Sequence, residues 1–456
     1  MANTYLTWTP STTPTGSAKT WTYSVWVKMA QENPGYFFAA GSGTQSKFIF
    51  GAYGGGDIDI LTYEGYVINA NTARLFRDTN AWYHVVLACD TTQAVPANGI
   101  KLYINGVQET LTFNSQGSEN GYTQNTSLRI GTSGEAINIG RDINDSGHWK
   151  GCMSHINFVD GQQLTPSAFG STDSTTGEWK INTSPSVTYG TNGFFILKDG
   201  NSVTDQSGRG NNFTLGGGTL TKTEDNPSNV FATLNPLYRM DFSNNVTLSN
   251  GNTYFSSDQS GYNIRYGTLG ASKGKFYYEC KFISQNNHGN SDSLGMPFGI
   301  SASQIPSGAQ NSGTATYSYS YNYDGSNSTV QNNGGVSNYG TTPLNAVGQI
   351  GMCAFDLDNN KLYFGVNGVW TNSGNPAGNA NGFSIPDPDD TELGIYFPET
   401  ADRSSARSYV YAFNFGNGYF GTTAVSSAGT NASGIGIFEY DVPTGFTALS
   451  TKGLNL

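Results

Sequence analysis

The chain has 456 residues, of which only 12 % are charged, and its 33 acidic against 22 basic residues give a net charge of −11. No basic stripe is present, which argues against nucleic acid and anionic membrane surfaces as partners. No apolar run approaches the roughly 18 residues that membrane insertion requires. The length favours two domains of about 200–230 residues each.

The first half of the chain has the pattern of short strands separated by turns. Apolar residues alternate with polar or small ones, and the pair Asn105-Gly106 predicts a tight turn because both residues tolerate positive φ. Strong helix formers are sparse, whereas aromatic and β-branched residues are abundant. The predicted strands are Trp21–Met29, Trp82–Cys89, Ile100–Ile104, Ala136–Gly140 and Gly151–Phe158.

The polar loop between the last two of these strands, residues 141–150, is the best candidate for a binding site. Its sequence, RDINDSGHWK, places aromatic rings beside carboxylates and a carboxamide. Sugar recognition combines apolar stacking with directional hydrogen bonds, which these side chains can supply. An alternative for the tryptophan is packing against the sandwich edge. The candidate ligand-binding residues are Asp142, Asn144, Asp145, His148 and Trp149.

A change in composition near residues 215–235 predicts a domain boundary. A Gly-rich stretch, residues 215–219, is followed by the polar, turn-prone stretch 224–229. We therefore predict a first domain at residues 1–221, a linker at 222–238 and a second domain at 239–456.

The second half resumes the strand pattern and repeats one turn. The text KLYFGVNGV at residues 361–369 lies 260 positions after KLYINGV at residues 101–107. In Tyr317–Tyr323, four tyrosines alternate with polar residues and share one face of the strand. A face that covers the core is the favoured interpretation, and an exposed ladder for sugar stacking is the alternative. The other predicted strands are Lys275–Ile283, Gly295–Ser301, Gly348–Leu357 and Tyr409–Phe415.

The residues that come nearest to a glycanase motif are Asp57, Asp59 and Glu64. The two aspartates would share a strand face about 6.5–7 Å apart, but Glu64 is seven residues from Asp57 and nominally on the opposite face. A retaining hydrolase needs two carboxyl groups about 5–5.5 Å apart. We therefore expect no enzymatic activity, with a glycoside hydrolase or its carbohydrate-binding module as the alternative.

Metal and cofactor motifs are weak. Residues 356–367 begin like a calcium loop but have Lys361 in place of the required Gly and Asn367 in place of the final Glu. No Cys/His cluster has zinc spacing. We expect no catalytic metal and no cofactor. The acidic loops 142–145 and 387–390 leave a structural calcium ion as the alternative to plain solvation.

Each half of the chain contains short sequence blocks that occur in the order of a known family. The blocks of the first half, over most of residues 20–220, resemble the core of laminin-G-like domains: Trp82-Tyr83-His84-Val85, Lys101-Leu102-Tyr103-Ile104-Asn105-Gly106, Ile137-Asn138-Ile139-Gly140 and Lys150-Gly151-Cys152-Met153. Those of the second half, over roughly 240–456, resemble a SPRY domain: Gly274-Lys275-Phe276-Tyr277-Tyr278-Glu279, Gly299-Ile300-Ser301, Phe355-Asp356-Leu357-Asp358 and Val366-Asn367-Gly368-Val369-Trp370. The resemblance implies an all-β fold with two concanavalin-A-like antiparallel β-sandwiches of the jelly-roll type in tandem.

The segment that joins the two halves resembles the corresponding segment of bacteriophage structural proteins that fuse a lectin-like sandwich to a SPRY-like one. It contains FVDGQ, LTPS, YGTNGF, DQSGRGNNF and FATLNPL between residues 158 and 237. Such proteins are typically assigned to tail fibres or other virion appendages. The resemblance implies a virion protein that binds a host-surface glycan or protein, or a decoration protein that binds no ligand.

The expected partners and location follow from this resemblance. Other virion proteins and further copies of the chain are expected partners, because virion appendages are usually symmetric assemblies. We expect neither nucleic-acid binding nor membrane insertion. The N-terminus, MANTYLTWTP, lacks the charged and apolar regions of a signal peptide. Synthesis in the host cytoplasm followed by incorporation into the virion is therefore the expected route.

Overall fold

The computed structural model describes most of the chain in two compact units, Met1–Lys222 and Thr223–Leu456. Strands dominate both units, and the helical elements of the described residues are single turns. This confirms the predicted all-β class. The described residues are 3–43, 46–52, 58–62, 68–113, 122–198, 200, 202–240, 246–257, 263–286, 297–304, 313–323, 327–401 and 408–456.

The first unit contains two large antiparallel sheets and one small hairpin. The eight-stranded sheet has the order β10-β6-β5-β4-β3-β11-β1-β16, and the six-stranded sheet has the order β15-β12-β2-β7-β8-β9. One helical turn is Pro96–Gly99, and one 3-10 turn is Pro166–Ala168. The strands are β1 (Tyr5–Trp8), β2 (Thr20–Met29), β3 (Gly35–Gly43), β4 (Ser46–Ala52), β5 (Ile58–Thr62), β6 (Asn69–Thr72), β7 (Trp82–Asp90), β8 (Ile100–Ile104), β9 (Val107–Gln108), β10 (Leu111–Phe113), β11 (Ala136–Ile139), β12 (Gly151–Asp160), β13 (Gly170–Thr172), β14 (Trp179–Ile181), β15 (Phe194–Ile196) and β16 (Thr214–Gly217).

Aromatic side chains from the two large sheets meet in the core of the first unit. The Trp21 ring of β2 packs edge-on against Phe48 of β4 with centroids 5.6 Å apart, and Tyr23 packs on Phe38 of β3 at 4.7 Å. Such contacts between the inner faces of two sheets define a β-sandwich. The alternating apolar residues of β2 therefore form the core face that the sequence pattern indicated.

The second unit is also built from two large sheets, antiparallel except that β34 pairs parallel with β21. Its seven-stranded sheet has the order β17-β20-β30-β22-β23-β24-β25, and its nine-stranded sheet includes the path β18-β19-β31-β21-β26-β27-β28. The 3-10 turns are Thr371–Ser373, Pro388–Asp390 and Gly453–Asn455. The strands are β17 (Leu234–Met240), β18 (Val246–Ser249), β19 (Tyr254–Ser257), β20 (Ile264–Gly267), β21 (Lys275–Asn286), β22 (Phe298–Ser301), β23 (Ser318–Tyr323), β24 (Ser328–Asn332), β25 (Gly335–Asn338), β26 (Ile350–Asp356), β27 (Lys361–Val366), β28 (Val369–Trp370), β29 (Phe383–Ser384), β30 (Phe397–Ala401), β31 (Ser408–Asn414), β32 (Tyr419–Phe420), β33 (Thr423–Ala424) and β34 (Thr447–Ala448).

The tyrosine-rich strand β23 supplies the core of this second sandwich. Tyr319 and Tyr321 are buried, and Tyr321 packs on Phe364 of the opposite sheet with centroids 5.2 Å apart. The prediction that the alternating tyrosines cover the core is confirmed for these two residues. For them, an exposed ladder for sugar stacking is therefore wrong.

Most of the stretch that the sequence analysis assigned to a linker, residues 222–238, lies within the second unit. Phe231 and Leu234 are buried, and the Ala232 N–H donates to the Leu449 carbonyl at 3.0 Å. Strand β17 begins inside this stretch. Gly-rich and polar text marks loops and turns as well as linkers, so composition alone does not locate the start of a packed unit.

In each unit, a covering segment packs on the outer face of one sheet. In the first unit this segment is residues 161–190, whose Phe169 and Tyr189 pack with Val86 and Ala88 of β7. In the second unit it is residues 425–449, whose Phe438 and Phe446 pack with apolar residues of β21 and β26. These central strands are therefore buried on both faces.

Candidate functional site

Loop 141–150 joins β11 to β12 and is closed by hydrogen bonds of Asp142. The Asp142 N–H donates to the Ser146 carbonyl at 2.9 Å. The Asp142 carboxylate accepts from the Ile143 N–H at 2.6 Å and from the Ser146 hydroxyl at 3.3 Å. Only 3 % of Asp142 is exposed. This candidate residue therefore shapes the loop instead of facing solvent.

Trp149 faces the interior of the sandwich. Its ring lies 4.9 Å from that of Phe37, centroid to centroid, and it packs against the core cluster of the first unit. The backbone explains this orientation, since the Trp149 N–H donates to the Gly140 carbonyl at 2.8 Å, at the end of β11. The structure thus follows the alternative of edge packing, with the partly buried ring of Trp149 turned towards the core.

The remaining candidates lie around an arginine that the sequence analysis did not select. The Arg141 guanidinium stacks over the Tyr5 ring, 3.4 Å from its centroid, and its Nη1 donates to Asp145 at 2.5 Å. His148 Nε2 lies 3.2 Å from the same Asp145 oxygen. We call Tyr5, Arg141, Asp145 and His148 the arginine cluster. Asn144 is exposed beside it.

Tyr5 reaches this loop through sheet pairing. Strand β1 pairs with β11 in the register Leu6–Ile139, which places Tyr5 next to the start of the loop. Tyr5 and Arg141 are 136 positions apart in the chain, and no local sequence signal marks Tyr5. Arg141, in contrast, opens the polar loop and could have been selected as a cation beside two aspartates.

The buried part of the arginine cluster contains polar atoms without hydrogen-bond partners among the described residues. These are Arg141 Nε and both ring nitrogens of His148. The His148–Asp145 contact is within ion-pair distance but is not aligned as a hydrogen bond. The side chains of Arg141 and His148 are only 15 % and 14 % exposed, whereas that of Asp145 is 71 % exposed. Unpaired buried donors are costly, so this cluster has unused hydrogen-bonding capacity.

A second polar cluster, around His84, resembles a catalytic pair but cannot act as one. The Trp179 indole N–H donates to His84 Nδ1 at 2.9 Å, so the ring proton is on Nε2, which faces the Ser24 hydroxyl at 2.9 Å. Burial lowers the pKa of His84 to about 3. A histidine that donates to the serine cannot take its proton, and both residues are fully buried. The pair is structural.

Two aspartates between residues 158 and 237, Asp160 and Asp205, are also structural. Both are at least 91 % buried, and their carboxylates accept backbone N–H groups that fix loops. The donors are Thr15, Gly16 and Asn192 for Asp160, and Phe195, Ser207 and Asn211 for Asp205, at 2.7–3.1 Å.

Metal sites and the glycanase motif receive no further support. In the described part of the chain, no group of three or more His, Cys, Asp or Glu side chains is placed to hold a metal ion. Asp57 and Glu64 lie outside the described residues, and only the backbone of Asp59 is described, in β5. No helix among the described residues is long and apolar enough to span a membrane.

Comparisons with known proteins agree with the lectin-like character of the first unit. Residues 1–168 match the Laminin_G_3 family model, described as the concanavalin A-like lectin/glucanases superfamily. This match covers about a third of the chain. No curated protein matches the sequence.

Solved structures similar to the chain include three β-sandwich proteins. The SPRY domain of human HERC1 has 15 % identity and a TM-score of 0.29, covering 40 % of this chain and 96 % of its own. A heptameric SAP-like pentraxin from Limulus polyphemus has 16 % identity and a TM-score of 0.26, covering 36 % and 71 %. The TRIM65 PSpry domain has 13 % identity and a TM-score of 0.26, covering 40 % and 91 %. All three scores are below 0.5, so the fold assignment rests on the sheets and on the family model.

Proposed function

We propose that the protein is a non-enzymatic recognition protein of a bacteriophage particle that binds a glycan or protein on the surface of a bacterial host. The observation that carries the binding role is the arginine cluster, where exposed Asn144 and Asp145 lie beside a stacked arginine with unused donors. The match of residues 1–168 to a lectin/glucanase family supports ligand binding by this unit. The phage setting rests on the resemblance of residues 158–237 to phage structural proteins.

The absence of catalysis is part of this proposal and is supported by the state of the buried acids and bases. Glu279 accepts four hydrogen bonds in the second unit, Asp160 and Asp205 fix loops, and His84 donates to Ser24. None of these groups is exposed to a substrate. The alternative, a glycoside hydrolase or its binding module, would require a carboxylate pair outside this set.

A purely structural role in the virion is the second candidate. It is favoured by Asp160 and Asp205, because the text that resembles phage proteins is used to build the fold and not to form an exposed site. In this role the protein would bind other virion proteins and further copies of itself without a host ligand.

A glycan array probed with the full chain, with and without calcium, separates recognition from decoration. We expect binding to a limited set of bacterial surface glycans. The Arg141→Gln variant should lose it, whereas Lys180→Gln, at an exposed ion pair elsewhere in the unit, should not. A blank array together with no binding to intact host cells would contradict the recognition role.

Mass spectrometry of purified particles tests the phage setting directly. The chain should be present at a fixed ratio to other virion proteins. Its absence from particles would contradict the virion assignment, whatever the glycan array shows.

A further inference from the structure

We propose that the arginine cluster binds the carboxylate of an acidic sugar and that Asp145 occupies the position of this ligand group in the unbound protein. This inference rests on the proposed function, since it names the class of glycan that the same loop binds. The site consists of Tyr5, Arg141 and His148, with Asp145 as an internal counterpart of the ligand.

Arg141 is held in the orientation that carboxylate recognition needs. Its guanidinium carbon lies 3.4 Å from the centroid of the Tyr5 ring, a separation at which the two planes stack, so its N–H groups point sideways from the stack. One edge atom, Nη1, already binds a carboxylate oxygen of Asp145, while Nε has no partner among the described residues. Arginine pairs with carboxylates through two parallel N–H groups, either Nη1 with Nη2 or Nε with Nη2, and here the Asp145 carboxylate is bound by Nη1 alone.

His148 lies close to the same carboxylate oxygen that Arg141 binds. Its Nε2 is 3.2 Å from Asp145 Oδ1, and neither ring nitrogen is hydrogen-bonded within the described part of the chain. The ring also lies near Tyr5, with centroids 6.4 Å apart. A carboxylate that replaced that of Asp145 would therefore meet the arginine and the imidazole together.

Asp145 is weakly held compared with the residues below it. Its side chain is 71 % exposed, and its described contacts are limited to Arg141 and His148. Its backbone is left-handed, with φ of 59°. The neighbouring Asp142 carboxylate is instead buried and fixed by two hydrogen bonds. An exposed ion pair contributes little, so a ligand carboxylate can displace that of Asp145 at small cost.

The surroundings favour a sugar acid over an acidic peptide. Asn144 and Ser146 are exposed on either side of Asp145. The Asn144 carboxamide can donate to or accept from ring hydroxyl groups, and the Ser146 oxygen, whose proton goes to Asp142, can accept from them. No apolar side chain of the 141–150 loop is exposed to hold a peptide side chain. The fixed negative charge of Asp142 limits the affinity for any anion.

The test compares the full chain with three variants on galacturonate oligomers and on neutral galactan oligomers. Asn tolerates a left-handed backbone, so Asp145→Asn keeps the loop while removing the internal carboxylate. We expect it to raise galacturonate affinity about three- to fivefold without changing galactan affinity. Arg141→Gln should lower galacturonate affinity roughly tenfold.

The matched control is Glu135→Gln. Arg129 pairs with Glu135 at 2.5 Å in the same unit, and the arginine side chain is likewise largely covered, at 25 % exposure. This variant should leave galacturonate affinity unchanged. Circular dichroism of each variant reports whether the fold is kept.

The other ligands tested are sodium acetate at equal ionic strength and poly-glutamate. Stronger competition by acetate than by galacturonate would show a free-anion site and overturn the sugar assignment, as would tighter binding of poly-glutamate. Galactan binding without any gain in Asp145→Asn would overturn this inference while leaving glycan recognition intact. No binding of any glycan by any variant would contradict both proposals.

Discussion

Each unit contains an equivalent framework of four strands on which its covering segment packs. The buried side chains that hold the covering segment by hydrogen bonds, here called its anchors, differ between the two units. In the first unit the framework is β2, β7, β8 and β9, and in the second it is β21, β26, β27 and β28. Thr20 pairs with Asp90 where Lys275 pairs with Asp356. Both aspartates then accept a backbone N–H two residues further on. The two frameworks share their turns, and they differ in the buried polar side chains that lie between these turns.

The Asn-Gly turn is the closest of these correspondences. The Asn105 N–H donates to the His84 carbonyl while the Asn105 carboxamide oxygen accepts from the His84 N–H. Asn367 makes the same two bonds with Ile350. The two glycines that follow both have φ of 82°. This pairing explains why an Asn-Gly pair ends the strand in both units.

The repeated letters KLY, in contrast, do not occupy equivalent positions. With the turns aligned, Lys101 corresponds to Tyr363, because the spacing from Lys361 to Asn367 is two residues longer than that from Lys101 to Asn105. A shift of two keeps each side chain on the same face of the strand. The repeat therefore reflects similar requirements of two strands and is not evidence of a copied segment.

The anchors of the covering segments differ in chemistry. In the first unit, Trp179 of the segment donates to His84. In the second, Glu279 accepts the N–H groups of Glu439 and Tyr440. By strand register, Glu279 corresponds to Ser24, the partner of His84. A buried base anchors one segment and a buried acid anchors the other.

Removal of the buried acid Glu279 should have the largest effect on stability. Glu279→Ala leaves two backbone N–H groups, the Asn414 amide and the Tyr277 hydroxyl without their acceptor in a buried site. We expect the second unit to lose about 3–5 kcal/mol of unfolding free energy. Hydrogen exchange of the full chain, followed at Glu439 and Tyr440, measures this loss. Unchanged protection there would show that the apolar contacts alone hold the segment.

Removal of the aromatic anchor of the first unit should cost somewhat less. Trp179→Ala removes the ring that covers Gly106 and the donor to His84 Nδ1. We expect a loss of about 3 kcal/mol in the first unit. Trp179→Phe keeps most of the ring, so its smaller loss isolates the hydrogen bond. Urea denaturation followed by hydrogen exchange assigns the effect to a unit.

The two anchors predict opposite pH dependence. Burial lowers the pKa of His84 from 6.5 to about 3, so the unfolded first unit binds a proton that the folded unit does not, and its stability falls as pH drops from 6.5 towards 3. Burial raises the pKa of Glu279 from 4.5 to about 7, so the second unit loses stability as pH rises from 4.5 to 7. We expect changes of about 2 kcal/mol between pH 5 and 7.5.

Hydrogen exchange resolved by unit at pH 5, 6 and 7.5 measures both trends, after correction for the intrinsic pH dependence of exchange. Glu279→Gln is the control, because it cannot ionise and should flatten the trend of the second unit only. Parallel trends in both units would contradict the assignment of these two groups.

The smallest expected effect on stability comes from alanine substitution of the two turn glycines, Gly106 and Gly368. An added Cβ at Gly106 would lie 2.5 Å from the Trp179 ring, and one at Gly368 would lie 3.0 Å from the Tyr440 ring. Both substitutions to Ala force a left-handed alanine, which costs about 1 kcal/mol. Since the Trp179 ring is tied to His84, we expect Gly106→Ala to cost roughly twice as much as Gly368→Ala. Thermal unfolding of both variants checks the order.

Local patterns were sufficient to predict several central strands, among them β2, β7, β8 and β21, and the Asn-Gly turns, because alternation and Asn-Gly pairs depend on neighbouring residues. The alternating apolar face of β2 and the tyrosines of β23 both reach the core as predicted. The start of the second unit was not predictable in this way, since Phe231 and Leu234 are buried by partners far along the chain.

The candidate loop was located from the sequence, but its internal arrangement was not. Asp142 and Trp149 turn inward because of bonds to Ser146 and Gly140, which the text RDINDSGHWK does not reveal. Tyr5 joins the cluster only through the pairing of β1 with β11. Side-chain roles in a loop depend on such long-range contacts, whereas its position between two strands does not.

The central claim, recognition without catalysis, is tested most directly on a panel of immobilised bacterial polysaccharides. Retained protein and released reducing ends are measured in the same wells. We predict retention on at least one polysaccharide, lost in Arg141→Gln, with no release of reducing ends. Release of reducing ends, or retention on none of the polysaccharides, would contradict the account.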